Sequence, residues 1–178
     1  MSFAAHEIAA NPDVQAKLLA EINQVQADLN GETIFYDKLQ SMKYMDQVIC
    51  EVLRKYSPAP FLDRVCSKDY ELKFDNKSIL IEKGTMVWFP VAGLHQDPKY
   101  FPNPMKFDPE RFSEENKSCI NMDAYLPFGV GPRNCIGSRY NNSILIYILN
   151  FFVFVFFLKI RINGSQGGSL LSASEFFI

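Results

Sequence analysis

The residues best suited to chemistry lie close together, in "PFGVGPRNCIGSRY", Pro127 to Tyr140. Cys135 stands two residues after Arg133 and two before Gly137, with Gly129, Gly131 and Pro132 crowding the approach. A buried structural cysteine needs no such frame. A sulfur presented to something large, from a rigid turn with backbone N–H groups pointing inward, does. The position also reads as the start of a new helix, where unpaired N–H groups and the positive end of the peptide dipole favour thiolate over thiol. A metal-ligating thiolate, a nucleophile and a free core cysteine all fit the spacing. A nucleophile wants a base partner, and the spacing puts neither His6 nor His95 beside it.

A second set is charged. Glu51 and Arg54 are three apart in a helical stretch, so they share a face. Alone, that spacing describes a surface ion pair worth ~0.3–0.5 kcal/mol. Farther on, "FDPERF" supplies Arg111 just before the cysteine loop.

Several elements must carry these groups. Asn11-Pro12-Asp13 reads as a helix start, with Asn11 as cap and Pro12 at the first helical position. Val14, Leu18, Ile22 and Val25 then recur at helical spacing, and Asn30-Gly31 ends the run. The preceding "MSFAAHEIAANPD" reads as the last turns of another helix. The spacing predicts a second amphipathic helix from about Met42 to Tyr56, capped by Ser41 and stopped by Ser57-Pro58-Ala59-Pro60. "YELKF" and "SILI", split by Asp75-Asn76-Lys77, predict a hairpin, and Gly84 leads into a third strand, "TMVWFPV". From Leu94 to Phe112, prolines at 98, 102, 104 and 109 predict an irregular coil.

Composition bounds the rest. The 178 residues suffice for one domain, and 18 basic against 20 acidic residues leave no electrostatic footprint for a nucleic-acid partner. Cysteines at 50, 66, 119 and 135 have no C-x-x-C spacing, and the N-terminus has no signal-peptide pattern, so reduced thiols are expected. Cys50, Cys66 and Cys119 read as small core or surface residues.

Taken in order, Glu51-x-x-Arg54, Pro109-Glu110-Arg111-Phe112 and Phe128-x-x-Gly131-x-Arg133-x-Cys135-x-Gly137 resemble the cytochrome P450 haem-thiolate monooxygenases. The wording of "NPDVQAKL", "LHQDPKYFPNP" and "FDPERFSEENK" is similar to the insect microsomal, xenobiotic-metabolising type. The resemblance implies a mainly α (α+β) fold, of which this chain is the C-terminal haem-binding portion: helices, a small β-sheet, a meander coil and a cysteine-ligand loop. It implies haem b with iron bound by Cys135, and propionate contacts from Arg133 and, by family position, Arg64. It also implies shielding of the sulfur by Phe128 and close porphyrin approach at Gly131 and Gly137. Glu51, Arg54 and Arg111 are implied as a buried structural network, and Pro58 to Leu62 as a pocket-facing strand.

The implied activity is oxidation of lipophilic small molecules with O2 and NADPH-cytochrome P450 reductase. It is expected on the cytosolic face of the endoplasmic reticulum membrane, held by an N-terminal anchor that precedes these residues in the family. No catalytic residue is carried over, because the family's proton-delivering acid–threonine pair has no match here. His95 resembles the histidine of the family's H-R-D-P stretch with Gln96 in place of arginine, and Glu82 replaces a usual proline; both departures are expected on surface turns. Residues 1–139 are expected to be the family portion. Residues 140–178 depart into the aromatic run "ILIYILNFFVFVFFL" and a Gly/Ser tail, the composition expected of translated intron or frame-shifted sequence. Two readings stand side by side: an oxygenase represented in part, or an inactive fragment that binds haem weakly.

Overall fold

The computed structural model describes residues 2–28 and 41–137. Helices α1 (Ser2–Ala10) and α2 (Pro12–Asp28) are separated by Asn11 alone. Pro12 forces that break, since its ring clashes with the preceding turn and it has no N–H to continue one. The Asn11 carbonyl accepts the first bond of α2, from the Gln15 N–H at 3.1 Å. Its side-chain amide instead donates backwards, to the Glu7 carbonyl at 2.7 Å and the Glu7 carboxylate at 3.3 Å. The expected forward side-chain cap is therefore a clasp on the end of α1.

Helix α3 spans Lys43–Lys55. Ser41 was expected to cap it, but Met42 holds that position, with no side-chain cap bond. The carboxylate of Glu21, on α2, takes over. Its two oxygens accept the Tyr44 N–H at 2.8 Å and the Met45 N–H at 2.9 Å. Orphan donors at the positive end of a helix thus meet a negative charge from another element. Val14, Leu18 and Ile22 of α2, Ala4 and Ile8 of α1, and Met45, Val48, Ile49 and Leu53 of α3 form one buried cluster closed by Phe107.

The strands form two antiparallel pairs. β2 (Tyr70–Phe74) and β3 (Lys77–Ile81) make the predicted hairpin around Asp75 and Asn76, at φ 46° and 59°. Two consecutive left-handed residues make a type I′ turn, whose twist matches that of the strands. β1 (Leu62–Val65) pairs with β4 (Met86–Phe89), Leu62 opposite Phe89 and Arg64 opposite Val87. Pro58–Phe61 lie before this strand, so the strand expected over Pro58–Leu62 begins only at its last residue. The strand expected to run on through Val91 ends at Phe89. Pro90 caps a short helix instead, α4 (Val91–His95), anchored by the Ala92 N–H on the Pro60 carbonyl at 2.9 Å.

Beyond α4 the chain meanders through single 3-10 turns at Pro109–Phe112, Lys117–Cys119, Met122–Ala124 and Gly131–Arg133. Helices and small sheets together make the expected mixed, mainly helical fold. No helix among the described residues is long and apolar enough to cross a membrane. The expectations for the helix end at Asn30-Gly31, for a helix after the cysteine and for the tail from residue 140 fall outside the described residues.

Candidate functional site

The cysteine loop is closed by its own backbone. The Gly129 N–H donates to the Leu126 carbonyl at 3.2 Å, the Asn134 N–H to Gly131 at 3.1 Å and the Cys135 N–H to Phe128 at 2.9 Å. Gly129 and Gly131 sit at φ +74° and +79°, left-handed backbone that side-chain-bearing residues rarely adopt. Gly129 also lies against β1: a Cβ there would stand 3.5 Å from Leu62 Cδ1. Strand alternation gives Arg64 the same face of β1 as Leu62, the face toward the loop.

Arg133 and Cys135 are exposed, and Ile136 beside them is fully so. A Cβ at Gly137 would be 3.8 Å from Cys135 Sγ, in ordinary contact. Phe128 is half-buried, packed against the helical core. Arg64 is exposed, with Nη1 donating to the Asp63 carbonyl at 2.7 Å.

The other cysteines have different surroundings. Burial pushes the Cys50 thiol up to about 11, so it stays protonated. Cys66 Sγ donates to the Lys68 carbonyl at 2.9 Å, and Cys119 lies exposed on the meander. Only Cys135 among the four combines exposure with a glycine-framed turn.

Behind the loop sits the charge network. Arg54 Nε and Nη2 bind the two oxygens of Glu51 at 2.7 and 2.9 Å, a bidentate pair with neither side chain exposed. The remaining donors of Arg54 reach the carbonyls of His95 and Pro104, both at 2.7 Å, and its guanidinium lies 5.5 Å from the Phe101 ring centre. Glu51 Oε1 also accepts the Asp108 N–H at 3.0 Å. Arg111 Nε comes within 3.5 Å of Glu51, at ion-pair range, while its Nη2 holds the Asn103 carbonyl at 2.8 Å. The three charges thus pin α3 to both sides of the meander. Within the Glu51–Arg54 pair nearly every lone pair and proton is used, as burial of such charges requires, whereas the buried Arg111 Nε makes no hydrogen bond.

The two departures, Gln96 and Glu82, are exposed as expected, whereas His95 itself is fully buried. Its Nε2 accepts the Leu126 N–H at 2.8 Å, and its Nδ1 lies 2.9 Å from Ser57 Oγ and 3.2 Å from the Arg54 carbonyl. Burial, with the nearby Arg54 charge, lowers its pKa to about 4, although the Arg54 carbonyl pulls the other way. The ring is therefore neutral at pH 7. Val91 and His95 are four apart and are the two buried residues of α4, a spacing hidden in the sequence by the β pattern that runs on to Val91.

Glu7 was also missed. Its buried carboxylate takes Lys55 Nζ at 2.7 Å and the Tyr56 hydroxyl, locking α1 to the end of α3.

These residues suit a flat prosthetic group whose metal needs one protein sulfur. Among the described residues no three His, Cys, Asp or Glu side chains come together as a metal cage. The loop offers an accessible thiol, a left-handed glycine rim without a Cβ, an exposed apolar neighbour and a guanidinium.

Comparison with known proteins gives this arrangement a class. A sequence model described as Cytochrome P450 matches residues 1–159. The chain is 49% identical over 153 residues to "Probable cytochrome P450 9f2" of Drosophila melanogaster, covering 84% of this chain and 30% of that protein. It is 51% identical over 140 residues to "Cytochrome P450 9e2" of Blattella germanica, covering 79% and 26%. With "Cytochrome P450 6j1" of the same species it shares 46% over 156 residues, 85% of this chain and 30% of the relative. The chain belongs to the cytochrome P450 family, and to the insect branch of its sequences. It spans less than a third of the length of these curated relatives.

Proposed function

We propose that this chain is the haem-facing part of a monooxygenase that oxidises lipophilic small molecules, with haem b held through Cys135. The observation that carries this is the cysteine loop: an exposed sulfur in a turn braced by two left-handed glycines and by the Cys135 N–H on the Phe128 carbonyl. When bound, the haem supplies oxygen activation, and a thiolate ligand pushes electron density toward O–O cleavage. In the overall reaction one oxygen atom enters a C–H bond of the substrate and the other leaves as water. Two electrons come from NADPH through cytochrome P450 reductase, and two protons complete the water.

The chain's own residues bind and orient. Arg133 and Arg64 present guanidinium groups suited to charge-assisted pairing with the two propionates. Gly131 and Gly137 keep the backbone low enough for a flat ring to approach. Phe128 covers the sulfur side and limits access of water. Glu51, Arg54 and Arg111 fix the coil that leads into the loop and take no part in the chemistry. Family membership supports association with the cytosolic face of the endoplasmic reticulum membrane.

The short span relative to the relatives supports a second reading, that these 178 residues on their own bind haem weakly and turn nothing over. The ferrous carbon monoxide spectrum of the haem-loaded protein tests the site. A red-shifted Soret band that disappears in Cys135→Ala and survives in Cys66→Ala and Cys119→Ala is expected. Survival of the band in Cys135→Ala would overturn the ligand assignment. Addition of NADPH, reductase and an apolar substrate then separates the two readings by product formation.

A further inference from the structure

We propose that His95 is a positioning residue for the thiolate: its neutral ring ties the strand of coil that feeds the Cys135 loop to the charge-network helix α3. The inference rests on the reading of Cys135 as the haem ligand.

The hydrogen-bond inventory fixes the state of the ring. Nε2 accepts the Leu126 backbone N–H at 2.8 Å, so it carries no proton. The single ring proton is on Nδ1, directed at Ser57 Oγ and the Arg54 carbonyl, at 2.9 and 3.2 Å. The Ser57 hydroxyl in turn has the Leu53 carbonyl to donate to at 3.4 Å. Arg54 answers with its guanidinium on the His95 carbonyl at 2.7 Å, so residues 54 and 95 hold each other through both backbone and side chain. Tyr125 stacks on the ring at 5.5 Å and Phe101 meets it edge-on at 6.1 Å. Every other position of the ring would break one of these contacts.

What hangs from Nε2 is the start of the loop. Leu126 receives the ring on its N–H and gives its carbonyl to Gly129, at 3.2 Å, where the left-handed turn toward Cys135 begins. A bonded path therefore runs from Glu51 through Arg54, His95 and Leu126 to Gly129. A protonated ring would set an N–H on Nε2 against the N–H of Leu126, donor facing donor. The charged and titratable groups that face the ring are Arg54, on α3, which repels a second positive charge, and Tyr125, on the coil, which stacks on it and whose phenol burial holds protonated. Glu51, the nearest carboxylate of the network, is committed to Arg54.

Two substitutions divide the ring's two functions. His95→Gln keeps an acceptor near the Nε2 position and loses the Nδ1 donor. His95→Asn keeps a donor near Nδ1 and loses the acceptor for Leu126. Each removes one buried hydrogen bond, so a role confined to stability lowers both melting temperatures and leaves the two spectra alike. The positioning role predicts that His95→Gln retains most of the thiolate-type ferrous carbon monoxide band while His95→Asn loses more than half of it at equal haem content.

In the unsubstituted protein, the Leu126 amide should exchange with solvent at least about 100-fold more slowly than an unprotected amide. Equal band retention in the two variants, or unprotected exchange at Leu126, overturns the proposal, and the exchange measurement decides if a variant fails to fold. Loss of the haem-ligand reading shows itself differently, as a thiolate band absent from the unsubstituted protein or present in Cys135→Ala.

Discussion

Glu51 and Arg54 meet in a two-point pair at 2.7 and 2.9 Å with neither side chain exposed to solvent. Removing one partner leaves the other charged, buried and without compensation. Glu51→Ala is expected to lower unfolding stability by roughly 3–5 kcal/mol, far beyond what a surface pair contributes. Glu51→Gln, which keeps the shape and one acceptor, is expected to fall between that variant and the parent. Urea unfolding measures both, and a loss below about 1 kcal/mol for Glu51→Ala contradicts the buried network.

Two glycines among the described residues show opposite behaviour. At Gly131 a Cβ would meet nothing within 4 Å, so the whole effect of Gly131→Ala is torsional, from φ +79°. That should cost about 1–2 kcal/mol and loosen the turn. Gly93, inside α4, has ordinary backbone, and a Cβ there would stand 3.5 Å from Pro90 Cβ. Gly93→Ala is expected to stabilise by about 0.5–1 kcal/mol. Thermal melts of the two variants should move in opposite directions; two shifts of one sign would contradict the geometry.

Helix α3 takes its first-turn cap from α2. Glu21→Ala removes the acceptor of two backbone N–H groups at once, with an expected cost of about 1 kcal/mol or slightly more. Faster amide exchange at Tyr44 and Met45 should accompany it. Unchanged exchange at both amides would show that the cap has no energetic weight.

Acid should act in two windows. His95 titrates at about 4 in the fold against an ordinary 6.5, because burial resists its charge. The unfolded chain therefore binds a proton that the fold refuses. Stability is unaffected above about 6.5, declines as pH falls from there to about 4, and is then constant, for a total of roughly 3 kcal/mol.

Glu7 differs. Burial pushes its carboxyl up, but Lys55 and the Tyr56 hydroxyl outweigh burial and hold it below the ordinary 4.5. Its contribution is present above 4.5 and lost as pH falls through the lowered value. Urea midpoints measured against pH should lose the first window in His95→Gln and the second in Glu7→Gln. A flat profile between 6.5 and 4.5 in the parent would refute the first assignment.

How much was readable in advance follows the range of each interaction. Glu51 and Arg54 were legible because helical periodicity alone puts positions three apart on one face. The hairpin was legible because Asp75-Asn76 sits between two β-prone runs and both residues tolerate left-handed backbone. Asn11 was half legible: the helix break was forced by Pro12, but the direction of its side chain depended on Glu7. Long-range partners escaped. Ser41 stood in the usual place for a cap, yet the capping charge came from Glu21 on another helix. The continued β pattern of "TMVWFPV" hid the turn at Pro90 into α4. His95 could be read as buried only by knowing that Ser57 and Leu126 converge on it. The cysteine loop itself was the easiest part, since glycines at φ +74° and +79° leave a visible mark on the sequence.

The nesting of the two strand pairs has a practical consequence. The β2–β3 hairpin is an excursion from the β1–β4 ladder. It leaves and returns through one clamp, where the Cys66 N–H holds the Thr85 carbonyl at 2.9 Å and the Gly84 N–H holds Cys66 at 2.8 Å. Whatever happens beyond that clamp need not alter the register that sets Arg64 opposite Val87 and Leu62 against the cysteine loop. The tip at Asp75-Asn76 is thus a natural graft point: an epitope or a fluorophore-bearing segment inserted there would ride on the molecule and leave the sulfur's surroundings alone.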